Sequence, residues 1–249
     1  MPETDGAPRY VEPLLGIVFD LDGTLILSHH DFARMRKEVV RIAELHGVPP
    51  GSLDPTQRIS HLLDLARETL TAANVPEGQI FRMETEARAA IDAIELEALP
   101  RTKARAGAHE LLSALTTRGY RLGVITRSAE PFCRAALRRT ELLDMFPYLR
   151  TRSAPGPAKP SPEALRLLLR EMEVPDDRAL FVGDHLIDAE CATRARIRFY
   201  GILSEPPDDD GMTVERFVAA GAAAVARDLP ELAHMLGVAP SPTTLAPAT

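Results

Sequence analysis

Three short apolar runs in this chain end abruptly at a polar residue, and that pattern limits the possible folds more than any other feature. Leu14-Leu15-Gly16-Ile17-Val18-Phe19 stops at Asp20, and Arg121-Leu122-Gly123-Val124-Ile125 stops at Thr126. Ala179-Leu180-Phe181-Val182 leads through Gly183 to Asp184. Runs this short, apolar throughout rather than alternating, suit strands buried on both faces of a parallel sheet. Arg198-Phe199-Tyr200-Gly201-Ile202 reads as a weaker fourth strand, and Ala222-Ala223-Ala224-Val225 as a fifth. Helical patterns lie between them. Ala108–Arg118 carries Leu111, Leu112 and Leu115 on one face, and Pro162–Met172 carries Leu165, Leu168, Leu169 and Met172 behind an initiating proline. The alternation predicts an α/β fold with a doubly wound parallel sheet and right-handed crossovers. Such sheets bind ligands at the carboxyl ends of their strands, where Asp20, Thr126 and Asp184 would stand.

From about His29 to Pro100 the alternation stops and only helical spacing remains. Phe32, Met35, Val39 and Ala43 form one stripe, and Ile59, Leu62, Leu63, Ala66 and Leu70 a second. Phe81, Ala87, Ile91, Ile94 and Ala98 form a third. Pro49-Pro50-Gly51 and Asn74-Val75-Pro76 separate them. The expected organisation is a catalytic core of residues 14–28 and 101–238, with an all-helical cap of residues 29–100 inserted after the first strand, over the strand ends. The segments 1–13 and 239–249 read as flexible tails, the second being rich in Pro, Ser, Thr and Ala.

With 249 residues, the chain can build one large domain or a domain with a sizeable insert. It has no Trp and only 5% aromatic residues, so its core is aliphatic. A net charge of −7 without any dense Lys/Arg block argues against a nucleic-acid partner. The start lacks an apolar segment of the length a signal peptide or membrane span needs, which points to the cytoplasm and away from a membrane partner. Cys133 and Cys191 form neither a Cys-x-x-Cys pair nor a framework, and read as small core residues. Either a monomer or a homodimer is compatible with the pattern, the latter if a cap helix carries surplus apolar surface.

The strand ends supply a chemistry when brought together. Asp20 and Asp22 lie two residues apart, with Gly23 allowing a sharp turn, and Asp184 and Asp188 share one face if a helix begins there. Converging carboxylates without a Cys or His cluster suit a hard cation bound through oxygen, and Mg²⁺ fits best. Without a cation, like charges would repel. Phosphoryl transfer needs a nucleophile, an acid/base and positive charge on the developing oxyanion. Asp20 can attack phosphorus, and Asp22 can protonate the leaving oxygen and then activate water. The Thr126 hydroxyl and the Lys159 ammonium can hold the non-bridging oxygens.

These residues fall into four segments: Phe19-Asp20-Leu21-Asp22-Gly23-Thr24-Leu25, Gly123-Val124-Ile125-Thr126, Lys159-Pro160-Ser161-Pro162 and Val182-Gly183-Asp184-His185-Leu186-Ile187-Asp188. In this order they resemble the four motifs of the haloacid dehalogenase superfamily, in the branch similar to phosphoglycolate phosphatases. The resemblance spans about Leu14 to Ile202, and the helical insert sits where that family carries its cap. It implies that Asp20 is nucleophile and metal ligand, and that Asp22 is acid/base and a ligand through its backbone carbonyl. Thr126 and Lys159 would grip the phosphoryl group. Asp184 would bind Mg²⁺, with Asp188 either a ligand through water or a support for Lys159. Dehalogenating relatives lack an aspartate at the position of Asp22, because a halide needs no proton to leave, so Asp22 argues for phosphate.

Two residues depart from the pattern. Arg127 follows Thr126 where relatives often carry a small or amide residue; it would bind a second anionic group of the substrate or pair with a surface acid. His185 stands where Ser is common. His29 and His30 would touch substrate or lie at a hinge or surface, and Asp208-Asp209-Asp210, between two prolines and Gly211, reads as a solvated loop. The expected activity is Mg²⁺-dependent hydrolysis of a small phosphorylated metabolite through a phosphoaspartate, with phosphoglycolate the first candidate. The alternatives are a phosphomutase using the same intermediate and a non-catalytic binding or regulatory protein on the same fold.

Overall fold

The computed structural model describes residues 13–204 and 212–238. Asp208-Asp209-Asp210 and the tail segments 1–12 and 239–249 lie outside them. The strands are β1 (Gly16–Phe19), β2 (Ile26–Leu27), β3 (Lys103–Ala104), β4 (Arg121–Ile125), β5 (Tyr148–Arg150), β6 (Ala179–Gly183), β7 (Arg198–Ile202) and β8 (Ala224–Ala226). The helices are α1 (Phe32–Leu45), α2 (Ile59–Ala72), α3 (Glu77–Ala98), α4 (Ala108–Thr117), α5 (Glu130–Arg139), α6 (Pro162–Glu171), α7 (Leu186–Ala195), α8 (Val214–Ala219) and α9 (Leu229–Met235). The chain divides into two compact units, Ser28–Thr102 and the remainder.

The larger unit is an α/β fold on a six-stranded sheet in the order β5-β4-β1-β6-β7-β8. All five strand pairings within it are parallel. The chain builds outward from β1 through β4 to β5, then crosses back to β6 on the other side of β1. That reversal makes β1 a topological switch point, and Asp20 is the residue immediately beyond it. Every residue of β1 and β6 is buried, which is why both read as uninterrupted apolar runs. Leu165, Leu168 and Leu169 of α6 and Ala189, Cys191 and Ala192 of α7 pack with Val18, Ile125, Phe181 and Phe199 in one apolar cluster.

Four strands differ from the sequence expectation. The fifth run begins pairing only at Ala224, because Gly221 takes a left-handed turn (φ 92°) and the Ala223 N–H caps the Phe199 carbonyl outside the ladder. β5 is a new edge strand carrying an arginine, and β2 pairs with β3 as a two-residue antiparallel ribbon. The ribbon sets Ile26 opposite Ala104 and Leu27 opposite Lys103, so the chain leaves the core and returns to it side by side.

Next to the ribbon lies Arg105, a buried arginine whose guanidinium reads main-chain carbonyls. Nη1 donates to Gly23 O at 2.7 Å, and Nη2 donates to Leu203 O at 2.5 Å and Arg227 O at 3.4 Å. One side chain thus ties the loop after β1 to the ends of β7 and β8. Arg105→Met is expected to strip these partly buried carbonyls of a charged donor and to cost about 1–3 kcal/mol. A lower urea midpoint at unchanged slope would show it; an unchanged midpoint would refute the clamp.

The smaller unit is a three-helix assembly with its own core. Met35, Val39, Ile42 and Ala43 of α1 pack with Leu62, Leu63, Ala66 and Leu70 of α2 and with Ile80, Met83, Ala87 and Ile91 of α3. Asp31 caps α1 by accepting from the Arg34 N–H at 2.9 Å, and Arg34 pairs with Glu97 on α3. Two aromatic residues expected in the stripes face outward. Phe81 is 64% exposed, since the six-residue step to Ala87 turns a helix through about 240° and Ile80 and Met83 hold the inner register. Phe32, the first residue of α1, is 50% exposed and meets the His30 ring edge-on at 5.6 Å. Among the described residues, no helix is long and apolar enough to cross a membrane.

Candidate active site

Asp20 enters the site directly from β1, its N–H donating to Val182 O of β6 at 2.9 Å. The chain then turns back at once, with the Gly23 N–H donating to Ile26 O at 2.8 Å. Gly23 has φ 86°, and a Cβ there would run into the Asp184 carboxylate. The turn therefore needs glycine both for its backbone and for its space. Thr24 Oγ1, buried beneath it, donates to Asp184 Oδ1 at 2.7 Å and fixes the orientation of that carboxylate.

The opposite wall is the start of α7. His185 is its N-cap: Nδ1 accepts from the Ile187 N–H, and Asp188 Oδ2 accepts from the His185 N–H, each at 3.1 Å. This reciprocal capping box locks Asp188 in place. Its other oxygen, Oδ1, accepts from Lys159 Nζ at 2.7 Å, and the same ammonium donates to Asp20 Oδ1 at 2.6 Å. Lys159 is buried, and its Nζ lies 5.6 Å from the centroid of the Phe181 ring. Asp188 is therefore joined to Asp20 through Lys159.

Asp20, Asp184 and Asp188 each offer a carboxylate oxygen, all within 4.8 Å of one another. Three acids face one ammonium, and the electrostatics show the imbalance. Burial, only partly opposed by Lys159 and reinforced by Asp188, pushes the Asp20 carboxyl up to about 6. Burial, then the negative charges of Asp20 and Asp188, hold Asp184 well above the ordinary carboxylate range. Burial disfavours the Lys159 charge, yet Asp188 and Asp20 together raise its pKa above the usual lysine value. An all-oxygen donor set with excess negative charge in a buried place fits a hard divalent cation.

The remaining residues singled out in the sequence fall as follows. Asp22 is half-buried, bridged in backbone to Ile26, and is not among the three carboxylates of the cluster. Thr126 is buried beyond β4. Its N–H donates to Arg150 O at 2.9 Å, and its Oγ1 accepts from the Ser128 N–H at 3.1 Å, which leaves the hydroxyl hydrogen available to an anion. Arg127 is half-buried, and its carbonyl accepts from Arg152 Nη1 at 2.9 Å. His29 and His30 belong to the helical unit. Cys133 and Cys191 are buried and are not joined in a disulfide; Cys191 Sγ donates to Ser161 O at 3.3 Å, and burial pushes its thiol up to about 12. Sequence reasoning gave no role to Thr24, although it stands in the first motif, nor to Arg105 and Arg150. A buried arginine has no sequence signal until its carbonyl partners are known.

The chain matches the haloacid dehalogenase-like hydrolase family over residues 14–196. It is 30% identical over 196 residues to a phosphoglycolate phosphatase of Nitrosospira multiformis, covering 74% of this chain and 80% of that protein. It is 27% identical over 207 residues to the N-acetylmuramic acid 6-phosphate phosphatase of Pseudomonas aeruginosa, covering 79% and 86%. Among solved structures, a hydrolase from Pseudomonas syringae superposes with a TM-score of 0.63 at 22% identity, covering 91% of this chain and 100% of that one.

Proposed function

Given that the chain belongs to the haloacid dehalogenase-like hydrolase family, we propose that it is a phosphatase that hydrolyses a small phosphate monoester through a phosphoaspartate on Asp20. The observation that carries this reading is the bridge of Lys159 between Asp20 and Asp188, beside Asp184, at the ends of β1 and β6. Lys159 holds Asp20 Oδ1 and so orients the carboxylate whose oxygen attacks phosphorus. As the bond to the ester oxygen breaks, Asp22 gives that oxygen a proton. Asp22, now a base, takes a proton from water, whose oxygen attacks phosphorus, releases inorganic phosphate and restores Asp20. The Thr126 hydroxyl and the Lys159 ammonium stabilise the charge on the non-bridging oxygens through both steps. Asp20, Asp184 and the Asp22 main-chain carbonyl, with Asp188 nearby, would hold Mg²⁺, which supplies the positive charge the three acids lack.

Two features bear on the substrate. Arg127 adjoins the Thr126 grip and would meet a second anionic group, as the carboxylate of phosphoglycolate provides. The relatives in Nitrosospira and Pseudomonas act on phosphoglycolate and on a carboxylate-bearing sugar phosphate by name, which favours a small substrate with a second negative charge. A reducing cytoplasm suits Cys133 and Cys191, which form no disulfide. The test is release of inorganic phosphate from p-nitrophenyl phosphate with Mg²⁺, followed by a panel of phosphorylated metabolites including phosphoglycolate. Mg²⁺-dependent release with highest kcat/KM on a carboxylate-bearing ester is the expected result. No release with Mg²⁺ across the panel would overturn the assignment, and phosphoryl transfer to a sugar hydroxyl in place of release would make the enzyme a mutase.

A further inference from the structure

Both residues assigned to grip the phosphoryl group hang on one strand that had no sequence signal. Arg150 ends β5. Through its main chain, its carbonyl accepts from the Thr126 N–H at 2.9 Å. Through its side chain, it holds the loop that leads to Lys159: Nη2 donates to Pro155 O at 2.6 Å and lies 3.5 Å from Pro157 O. Arg150 is itself buried, and its nearest acid, Glu171 at 3.9 Å, is mostly exposed. Its guanidinium is therefore directed mainly at backbone rather than spent on an ion pair.

The loop it holds has a reason to need an external anchor. Ala154-Pro155-Gly156-Pro157-Ala158-Lys159-Pro160 contains three prolines, none of which has an N–H to donate. Gly156 is left-handed at φ 89°, and a Cβ there would stand 3.3 Å from Arg150 Nη2, so the loop backbone lies against the guanidinium. The neighbouring segment is stapled to the Thr126 loop as well. The Arg152 N–H donates to Ser128 O at 3.0 Å, and the Glu130 N–H donates to Ser153 Oγ at 3.1 Å.

We propose that Arg150 is a positioning residue for phosphoryl transfer: its guanidinium fixes the Pro155–Pro157 carbonyls and thereby sets Lys159 against Asp20 and the phosphoryl oxygens. The catalytic consequence rests on the phosphatase reading; the anchoring of the loop does not. Arg150→Met keeps the length and removes the donors, while Arg150→Lys keeps one cationic donor that reaches a single carbonyl.

The experiment pairs two measurements on the full chain. Hydrogen exchange at the amides of Ala154 and Ser161, which donate to Thr151 O at 3.1 Å and Ala158 O at 3.0 Å on either side of the loop, reads the anchor without any substrate. Arg150→Met should speed it while exchange in β1 and β6 stays as in wild type, and Arg150→Lys should lie between. Unchanged exchange in the loop overturns the anchor. Steady-state kinetics and inorganic phosphate binding with Mg²⁺ then read the consequence. Arg150→Met should lower kcat on the order of a hundredfold, as misplacement of a catalytic group by about 1 Å does. It should weaken phosphate about tenfold, yet weaken it less than about twofold further in a Lys159→Met background, because the two act in series. Equal losses in both backgrounds overturn the positioning role, as does a full loss in Arg150→Lys equal to that in Arg150→Met. A wild-type protein that releases no phosphate overturns the phosphatase reading and the positioning role with it, leaving the exchange result to judge the anchor alone.

Discussion

Asp20→Asn is expected to lower turnover by at least about 10⁴-fold while leaving the protein folded, because it removes the carboxylate proposed to take the phosphoryl. The substitution is nearly isosteric. The Asn side-chain oxygen still accepts from Lys159 Nζ, so the bridge to Asp188 keeps both ends. One negative charge also leaves a buried cluster that has too many, so stability should hold or rise. Thermal unfolding and phosphate release on the same preparation separate the outcomes. Unchanged unfolding with activity lost is the expected pair. Activity within a hundredfold of wild type would mean that water, rather than Asp20, attacks phosphorus directly.

Removing divalent cations should have an effect of similar size on activity and a distinct one on stability. Three clustered carboxylates and one buried ammonium leave the cluster about two charges negative when all four are ionised. The Asp20 carboxyl shows the cost. Its folded pKa of about 6 lies above the ordinary 3.8, so the folded state holds this proton more tightly than the unfolded state does. For a raised carboxyl, the stabilising contribution is present below about 3.8 and is lost as pH rises through about 6. A bound cation offsets that loss, and saturation at a hundred times its dissociation constant adds about 2.7 kcal/mol. Mg²⁺ should therefore raise the melting temperature of chelator-treated protein, more at pH 7 than at pH 5, and restore phosphate release. A melting temperature indifferent to Mg²⁺ at both pH values would deny the cluster its cation.

The core strands were legible because burial on both faces leaves no polar residue in β1 or β6 until the strand ends, and the first polar residue is then the one the site uses. The same reasoning cannot see β5. Tyr148–Arg150 is three residues at the sheet edge, partly exposed, and its last side chain is charged. Asp188 was open between two roles in sequence, since spacing alone places it on the face of Asp184 without saying what each oxygen meets. The folded chain commits Oδ2 to the His185 N–H and Oδ1 to Lys159, and that division depends on a histidine N-cap that propensity alone does not favour. Thr24 was hidden by its surroundings: a threonine beside an aspartate-glycine turn ordinarily needs no partner, and its bond to Asp184 joins residues 160 positions apart. In the helical unit, the stripes of α2 were readable because four of its five members keep strict spacing and lie buried. Phe81 is as apolar as the other members of its stripe, but its angular position on α3 turns it to solvent.

The β2–β3 ribbon has a consequence for how such a chain can diversify. By pairing Leu27 with Lys103, it brings the two ends of a 28–102 excursion within hydrogen-bonding distance before that excursion begins. The excursion has its own apolar interior. Closing the junction with a short turn, or with a different helical module, leaves the path of every sheet strand unaltered. Selection can thus exchange one module as a cassette while Asp20, Lys159 and Asp184 stay under the separate constraint of the reaction proposed for them.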